Sequence, residues 1–260
     1  MRYAAVECRA LTPRDPIYVQ YGCGQSCPSG WLNFDASPWL WLRTLPLVGR
    51  ILPLGPFPRG VRYGDIVTGL PIAAQSVQGV YASHVLEHLS YADFWSALDH
   101  TFRMLKPGGI FRLVVPDLQA RAERYLHELA LGRPEANVWF MRASGLGREH
   151  DVPGLGPRLR RTFGRSAHLW MWDEKSLAAA LGKAGFARIR RCRFGDCADA
   201  VFQQVEDADR FHDGPAGIEE CAMEAIKPEA PAIHGNMTTG QDGGAGQSLP
   251  DARDRRVAGQ

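Results

Sequence analysis

Val77-Gln78-Gly79-Val80-Tyr81-Ala82-Ser83-His84-Val85-Leu86-Glu87-His88-Leu89 is the stretch that decides the fold of this chain. Val77 to Ala82 is a short apolar run with the length of a buried strand. His84, Glu87 and His88 crowd at its end, and a helical period then runs through Phe94, Leu98 and Phe102. The spacing i, i+3, i+4 predicts that the three polar groups share one helix face. In open α/β sheets, ligands bind just outside the carboxyl ends of the strands. Three titratable groups at such a position predict a functional site.

The flanking sequence repeats the strand-then-helix pattern. Ile17 to Tyr21, Trp31 to Phe34 and Val61 to Tyr63 read as three earlier strands. A helix from about Tyr91 to Leu105 is closed by Lys106-Pro107-Gly108-Gly109, which turns into a strand over Ile110 to Val115. Pro116-Asp117 ends that strand, and a helix follows from about Leu118 to Leu131. Asp173 caps a helix that runs to Lys183 and stops at Gly185. Ala187 to Phe194 and Cys221 to Ile226 are the last two strands. Alternation of this kind predicts an α/β protein with a mostly parallel sheet.

Composition sets the class. The chain has 260 residues, 45% hydrophobic and 22% charged, with a net charge of +2. That is ordinary for a globular enzyme and too weakly basic to argue for nucleic acid. Residues 1–228 are expected to form one domain, with an insert at 38–60 and a substrate-side excursion at 133–167. Residues 229–260, rich in Gly, Pro, Asp and Gln, read as a disordered tail. Arg158, Arg160, Arg161 and Arg165 form a basic cluster, read as a solvated loop. The spacing of the six cysteines is not that of a zinc site, so free thiols in a reducing compartment are expected. No leader is legible in Met1 to Pro16, which makes the cytoplasm the default location. Pro38 to Pro58 is apolar but carries five prolines and two arginines, which argues against a spanning helix. It reads as a loop with a short helix packed on the protein's own core. Its other destinations are a lid, a subunit interface or a weak contact with a membrane surface.

Four features stand at successive strand ends: Gly22-Cys23-Gly24, Asp35, Asp65 and Ser83-His84. Glycines let a ligand approach the backbone. A carboxylate after the second strand accepts the hydroxyls of a ribose. An aspartate after the third can accept from an adenine amino group. A dinucleotide fingerprint would need G-x-G-x-x-G opening a helix and an acid about 20 residues on. Here Cys27 holds the third glycine position and Asp35 follows Gly24 after only eleven residues. The short loop leaves no helix N-terminus for a pyrophosphate. An adenosine cofactor without phosphate fits better, namely S-adenosylmethionine (SAM).

Tyr18 to Gly24, Gly30 to Asp35, Ser83 to Leu89 and Arg103 to Gly109 resemble class I SAM-dependent methyltransferases of the type 11 group. The resemblance is closest to a branch of small bacterial methyltransferases. That branch also shows Val115-Pro116-Asp117-Leu118, His168-Leu169-Trp170-Met171-Trp172-Asp173-Glu174 and Glu224-Ala225-Ile226-Lys227-Pro228. It covers about Ile17 to Pro228. The resemblance implies a Rossmann-like, seven-stranded sheet with helices on both faces and an antiparallel last strand. It also implies Gly22 and Gly24 near the methionine part of SAM, Asp35 on the ribose, and Asp65 with Ile66 around the adenine. Gln20 and Gly79 depart from the pattern, which has an acid at the first position and often an aspartate at the second. Gln20, Cys23 and Ser83 complete the expected cofactor set.

A hydroxyl acceptor must lose a proton during methyl transfer, which favours a nearby histidine or carboxylate. His84 and His88 are candidate bases, Glu87 a candidate orienting group, and Asp117 a candidate acceptor ligand. The triplet is also similar to the Glu-x-x-Glu-His metal motif of ubiquinone-type O-methyltransferases, with His84 at the first Glu position. No fourth ligand is evident, and no metal is assigned. A hydrogen-bonded, merely structural role weighs about evenly for Glu87 and His88. His168 is read as either an acceptor-pocket residue or a satisfied surface histidine, Trp170 and Trp172 as core, and Arg124 and Tyr125 as candidate pocket residues. The expected function is methyl transfer to a small-molecule, glycan or lipid-intermediate acceptor, on oxygen. The alternative is a non-catalytic relative that keeps the fold as a binding or scaffold subunit, motivated by Gln20 and Gly79. Aminopropyl transfer would call for an acidic amine pocket, which Asp117 alone does not make. The short loop after Gly24 disfavours an NAD-dependent oxidoreductase.

Overall fold

Strand β1 (Ile17–Tyr21) turns Val19 and Tyr21 to one face of a sheet and Tyr18 to the other, the period-two alternation of extended chain. The protein is described by a computed structural model over residues 17–47, 55–147 and 167–229. The tail beyond residue 229, Cys8, the arginine cluster at 158–165, and parts of the insert and the excursion lie outside the described residues.

The sheet continues through β2 (Trp31–Asp35), β3 (Val61–Tyr63), β4 (Val77–Ser83), β5 (Leu105–Val115) and β6 (Ala187–Arg191). His212–Asp213 (β7) and Ile218–Glu219 (β8) pair as a separate ribbon, and β9 (Cys221–Ile226) returns to the main sheet. The order is β3-β2-β1-β4-β5-β9-β6. Strands β1 to β5 pair in parallel, and β9 runs antiparallel to both β5 and β6. This is the seven-stranded, mostly parallel sheet with an antiparallel last strand that the resemblance implies.

Five α-helices surround it among the described residues: α1 (Pro38–Thr44), α2 (Tyr91–Met104), α3 (Leu118–Ala130), α4 (Ala136–Ala143) and α5 (Glu174–Lys183). Ser90 caps α2 by accepting from the Asp93 amide. Phe94, Ala97, Leu98, Thr101 and Met104 then repeat at helical spacing and are buried. Asp173 and Ser176 form a reciprocal capping box on α5, whose Leu177, Ala180 and Leu181 join the same core. These two helices cover the sheet face that carries Val80, Phe111 and Leu113.

The opposite face is built differently. The chain passes from β1 to β2 through the loop 22–30 with no helix, as its length requires. The connection from β6 to β9 supplies the cover, with one-turn 3-10 helices at Ala200–Gln204 and Ala208–Arg210. Phe202 is fully buried there, edge-on to Tyr18 and Trp31 at centroid distances of 6.2 and 5.5 Å. A Cβ on Gly79 would stand 2.8 Å from both the Phe202 and the Tyr18 ring, so this glycine makes room for the packing. Arg112, fully buried on β5, ties the connection down: its guanidinium pairs with Glu206, with Asp196 and Glu224 at 3.0 Å each, and donates to the Arg193 carbonyl. Arg121 on α3 does the same for the later part through Glu220 and Asp213.

Several expectations are corrected. Lys106-Pro107-Gly108-Gly109 does not separate helix from strand. It forms a bulge inside β5, where Val77 pairs with Leu105 but Gly79 with Ile110, and Gly108 takes a φ of +76°. Strand β6 stops at Arg191, because Asp196 turns the chain by accepting from the Arg193 amide and donating its own to the Arg193 carbonyl. Within the excursion, α4 packs on α3 through Tyr125 and Phe140. The insert begins as α1, capped by Ser37, with Leu40 buried and Trp41 exposed. No disulfide joins the five described cysteines. Among the described residues, no helix is long and apolar enough to cross a membrane.

Gly79→Ala is expected to destabilise the protein by about 1–3 kcal/mol through overpacking against Phe202. Phe202→Ala alone should cost about 3–5 kcal/mol. Urea unfolding of both single variants and the double variant checks the contact, because the double should cost clearly less than the sum.

Candidate functional site

Strand order sets the order of groups along the carboxyl edge of the sheet: Asp65 after β3, Asp35 on β2, Gly22 after β1 and His84 after β4. All four line one cleft of about 340 Å³, together with Ile66 and His88. That is the size range of a small-molecule site, at the place such sheets use for ligands.

Asp35 is oriented by two amides. Its Oδ2 accepts from Gly24 at 2.9 Å and its Oδ1 from Ser37 at 2.8 Å. A carboxylate offers about four lone-pair sites, so two remain for a vicinal diol. Asp65 is turned by the Val67 amide, 3.0 Å from its Oδ1, and the Ile66 side chain beside it is buried. Gly22 has a φ of +64°, and a Cβ there would lie 2.2 Å from Val85 Cγ2. Backbone and space both demand glycine at this point.

The expected cofactor set divides in two. Gln20, Cys23 and Ser83 face a second cleft of about 590 Å³, which shares Tyr21 and Gly22 with the first. Gln20 is buried, and its Nε2 donates to Asn33 Oδ1 at 2.5 Å and to Ser26 at 3.2–3.3 Å. It fastens the helix-free loop between β1 and β2, which a carboxylate, lacking donors, cannot do. Burial and the neighbouring Asp35 push the Cys23 thiol far up, so it stays protonated. The second cleft also holds Tyr81, Glu206 and Arg210, which the sequence did not mark. The hydroxyls of Tyr81 and Ser83 are buried side by side without a well-formed hydrogen bond to any described residue. Both side chains project from the same face of β4, and that alternation was the available signal.

His84, Glu87 and His88 do converge, but not on an α-helix. Leu86–His88 is a single 3-10 turn, and α2 starts only after Ser90. His84 sits at the strand end with a φ of +53°. Its Nε2–H donates to the Arg210 carbonyl at 2.9 Å, and its Nδ1 stands 3.3 Å from Glu87 Oε1. Burial disfavours the imidazolium of His84, but the Glu87 carboxylate and the Arg210 carbonyl outweigh it and raise the pKa above 6.5. His88 donates Nδ1–H to the Ala167 carbonyl at 3.1 Å and sets Nε2 3.8 Å from Glu87 Oε1. His168 donates Nδ1–H to the Ser144 carbonyl at 2.6 Å, and burial lowers its pKa below 6.5.

Asp117 lies elsewhere. Its Oδ1 caps α3 through the Ala120 amide and its Oδ2 accepts from Arg191 at 2.9 Å, so its oxygens hold structure and do not line the cleft. Arg124 and Tyr125 turn to α4 and not to the cleft. Trp172 is core, stacked on Phe94 at 4.0 Å, while Trp170 is half exposed against Tyr91.

Residues 34–190 match the sequence profile described as a methyltransferase domain. No curated protein matches the chain. Among solved structures, the chain is similar to a SAM-dependent methyltransferase from Archaeoglobus fulgidus, at 15% identity over 82% of this chain and 86% of that one, with a TM-score of 0.43. It is also similar to the 1,6-didemethyltoxoflavin-N1-methyltransferase of Burkholderia thailandensis, at 17% identity over 82% and 72%, with a TM-score of 0.41. It spans half the length of the CurJ carbon methyltransferase, covering 84% of this chain and 50% of that one at 15% identity and a TM-score of 0.41. The profile match extends over more than half of the sequence and includes the end of β2, with Asp35, and all of β3 to β5, with the His84 turn; the chain therefore belongs to the methyltransferase-domain family.

Proposed function

We propose that the protein transfers the methyl group of SAM to an oxygen of a small-molecule, glycan or lipid-intermediate acceptor. The observation that carries this reading is the pair of clefts meeting at Gly22, with His84 lining the first and bonded to Arg210 of the second. The first cleft suits the cofactor: Asp35 for the ribose, Asp65 and Ile66 for the adenine, and the Gly22 backbone for the methionine part. SAM supplies an activated methyl group on sulfur, and the chain's own part is to position the acceptor.

The second cleft suits a hydroxylated acceptor. Tyr81, Ser83 and Ser26 offer hydroxyls, Asp207 accepts, and Arg210 donates. His84 then takes the acceptor proton. Its Nε2–H is committed to Arg210, which leaves Nδ1 as the accepting nitrogen, and Glu87 stabilises the imidazolium formed there. Gln20 and Gly79, the departures that motivate a non-catalytic scaffold, each have a packing role in this chain, so neither weakens the enzymatic reading.

Calorimetric titration of S-adenosylhomocysteine into the purified protein should give a one-to-one isotherm, and Asp35→Ala should weaken it at least tenfold. Absence of binding by the intact protein would overturn the cofactor assignment. In a screen of acceptors read by release of S-adenosylhomocysteine, turnover is expected on hydroxyl compounds. His84→Asn should lower kcat by about 10²–10⁴, and Tyr81→Phe should raise the acceptor KM. Turnover confined to amine or carbon acceptors would exclude transfer to oxygen.

A further inference from the structure

We propose that Glu87, His88 and His168 form a binding site for a divalent transition metal of the zinc class. One ligand atom from each lies within 4.8 Å of the others. Glu87 is fully buried; His84 Nδ1 and His88 Nε2 stand 3.3 and 3.8 Å from its Oε1, and its Oε2 receives no hydrogen bond from any described residue. A carboxylate buried this completely costs several kcal/mol unless positive charge compensates it. A bound cation supplies that charge.

The histidines are prepared for the same role. A carbonyl oxygen can only accept, so the bonds from His88 Nδ1 to Ala167 and from His168 Nδ1 to Ser144 fix the proton of each ring on Nδ1. Each Nε2 is then a lone-pair nitrogen. Metal-bound histidines are characteristically held in this way, with the second ring nitrogen donating to a backbone carbonyl. The two rings meet edge to face at 4.9 Å, and the amides of Leu169 and Trp170 anchor the second segment to the Glu87 carbonyl at 2.7 and 3.1 Å. Two imidazoles and one carboxylate suit zinc or a neighbouring transition metal, and not magnesium or calcium, which take oxygen ligands. Tetrahedral bonds of about 2.0–2.2 Å would draw the ligand atoms together by up to about 1.4 Å.

The metal would staple the segment after residue 167 to the end of β4. The set differs from a contiguous triplet, because His168 takes the third place and His84 stands outside it against Glu87 Oε1. Three protein ligands leave a fourth position open.

The test uses the full chain, stripped with a chelator and dialysed. Titration with Co²⁺ should build a visible d–d absorption that saturates at one equivalent. Calorimetry with Zn²⁺ should give the same stoichiometry, and Zn²⁺ should raise the thermal midpoint while Mg²⁺ leaves it unchanged. His168→Ala removes a ligand from a half-buried loop position and should keep its circular dichroism spectrum while weakening Zn²⁺ at least tenfold and abolishing the thermal shift. Glu87→Gln provides the second variant, with the same expected loss. No saturable binding, or equal binding by His168→Ala, would overturn the site and leave His84 as the cation that balances Glu87. Binding of S-adenosylhomocysteine by the metal-free protein is read in parallel, so failure of the metal site is separable from failure of the cofactor site.

Discussion

The buried guanidinium of Arg112 is the interaction on which the unusual half of this fold depends. The loop from β1 to β2 contributes no helix, so one face of the sheet would be bare. Arg112 rises from β5 on that face and gathers Asp196, Glu206, Glu224 and the Arg193 carbonyl around it. These partners draw the β6–β9 connection across the sheet and set Phe202 over Gly79. Desolvating a charge is costly, and removing one partner of such a group leaves an unpaired charge inside the protein. The arrangement therefore holds together as a unit. It also builds the wall of the second cleft, because Glu206 and Arg210 belong to the same connection.

The parts of the fold legible in the sequence were those governed by local rules. The β4 strand, the helix beginning at Tyr91, the Asp173 cap and the Cys221–Ile226 strand follow from periodicity and capping chemistry, and all stand where those rules put them. Asp35 and Asp65 were legible because a strand end is also a position along the sheet edge. The rest required distant partners. His84 reads as part of a helix because its neighbours have helical spacing, yet its backbone is held by the Val114 carbonyl and its ring by Arg210, 126 residues away. Asp117 looks like a site residue from its place after a strand, but Arg191 and the first turn of α3 occupy it.

Gln20 and Gly79 show how a departure from a family pattern can mislead. Each replaces a residue type with an evident role elsewhere, which reads as lost function. In this chain both serve the same structural change. Gln20 donates to the loop that replaces a helix, and Gly79 admits the phenylalanine that covers the face the helix would have covered. The two differences are one adaptation seen at two positions.

The left-handed backbone of His84 has a consequence for how this chain can change. A residue with a side chain pays a conformational penalty of about 1–3 kcal/mol to sit at such a φ, and glycine pays none. Position 84 therefore sets backbone ease against the imidazole, whose bond to the Arg210 carbonyl and place beside the buried Glu87 carboxylate a glycine would forfeit. Relief of the backbone comes free only when the Glu87 carboxylate changes too, so among descendants of this chain the two positions are expected to change together.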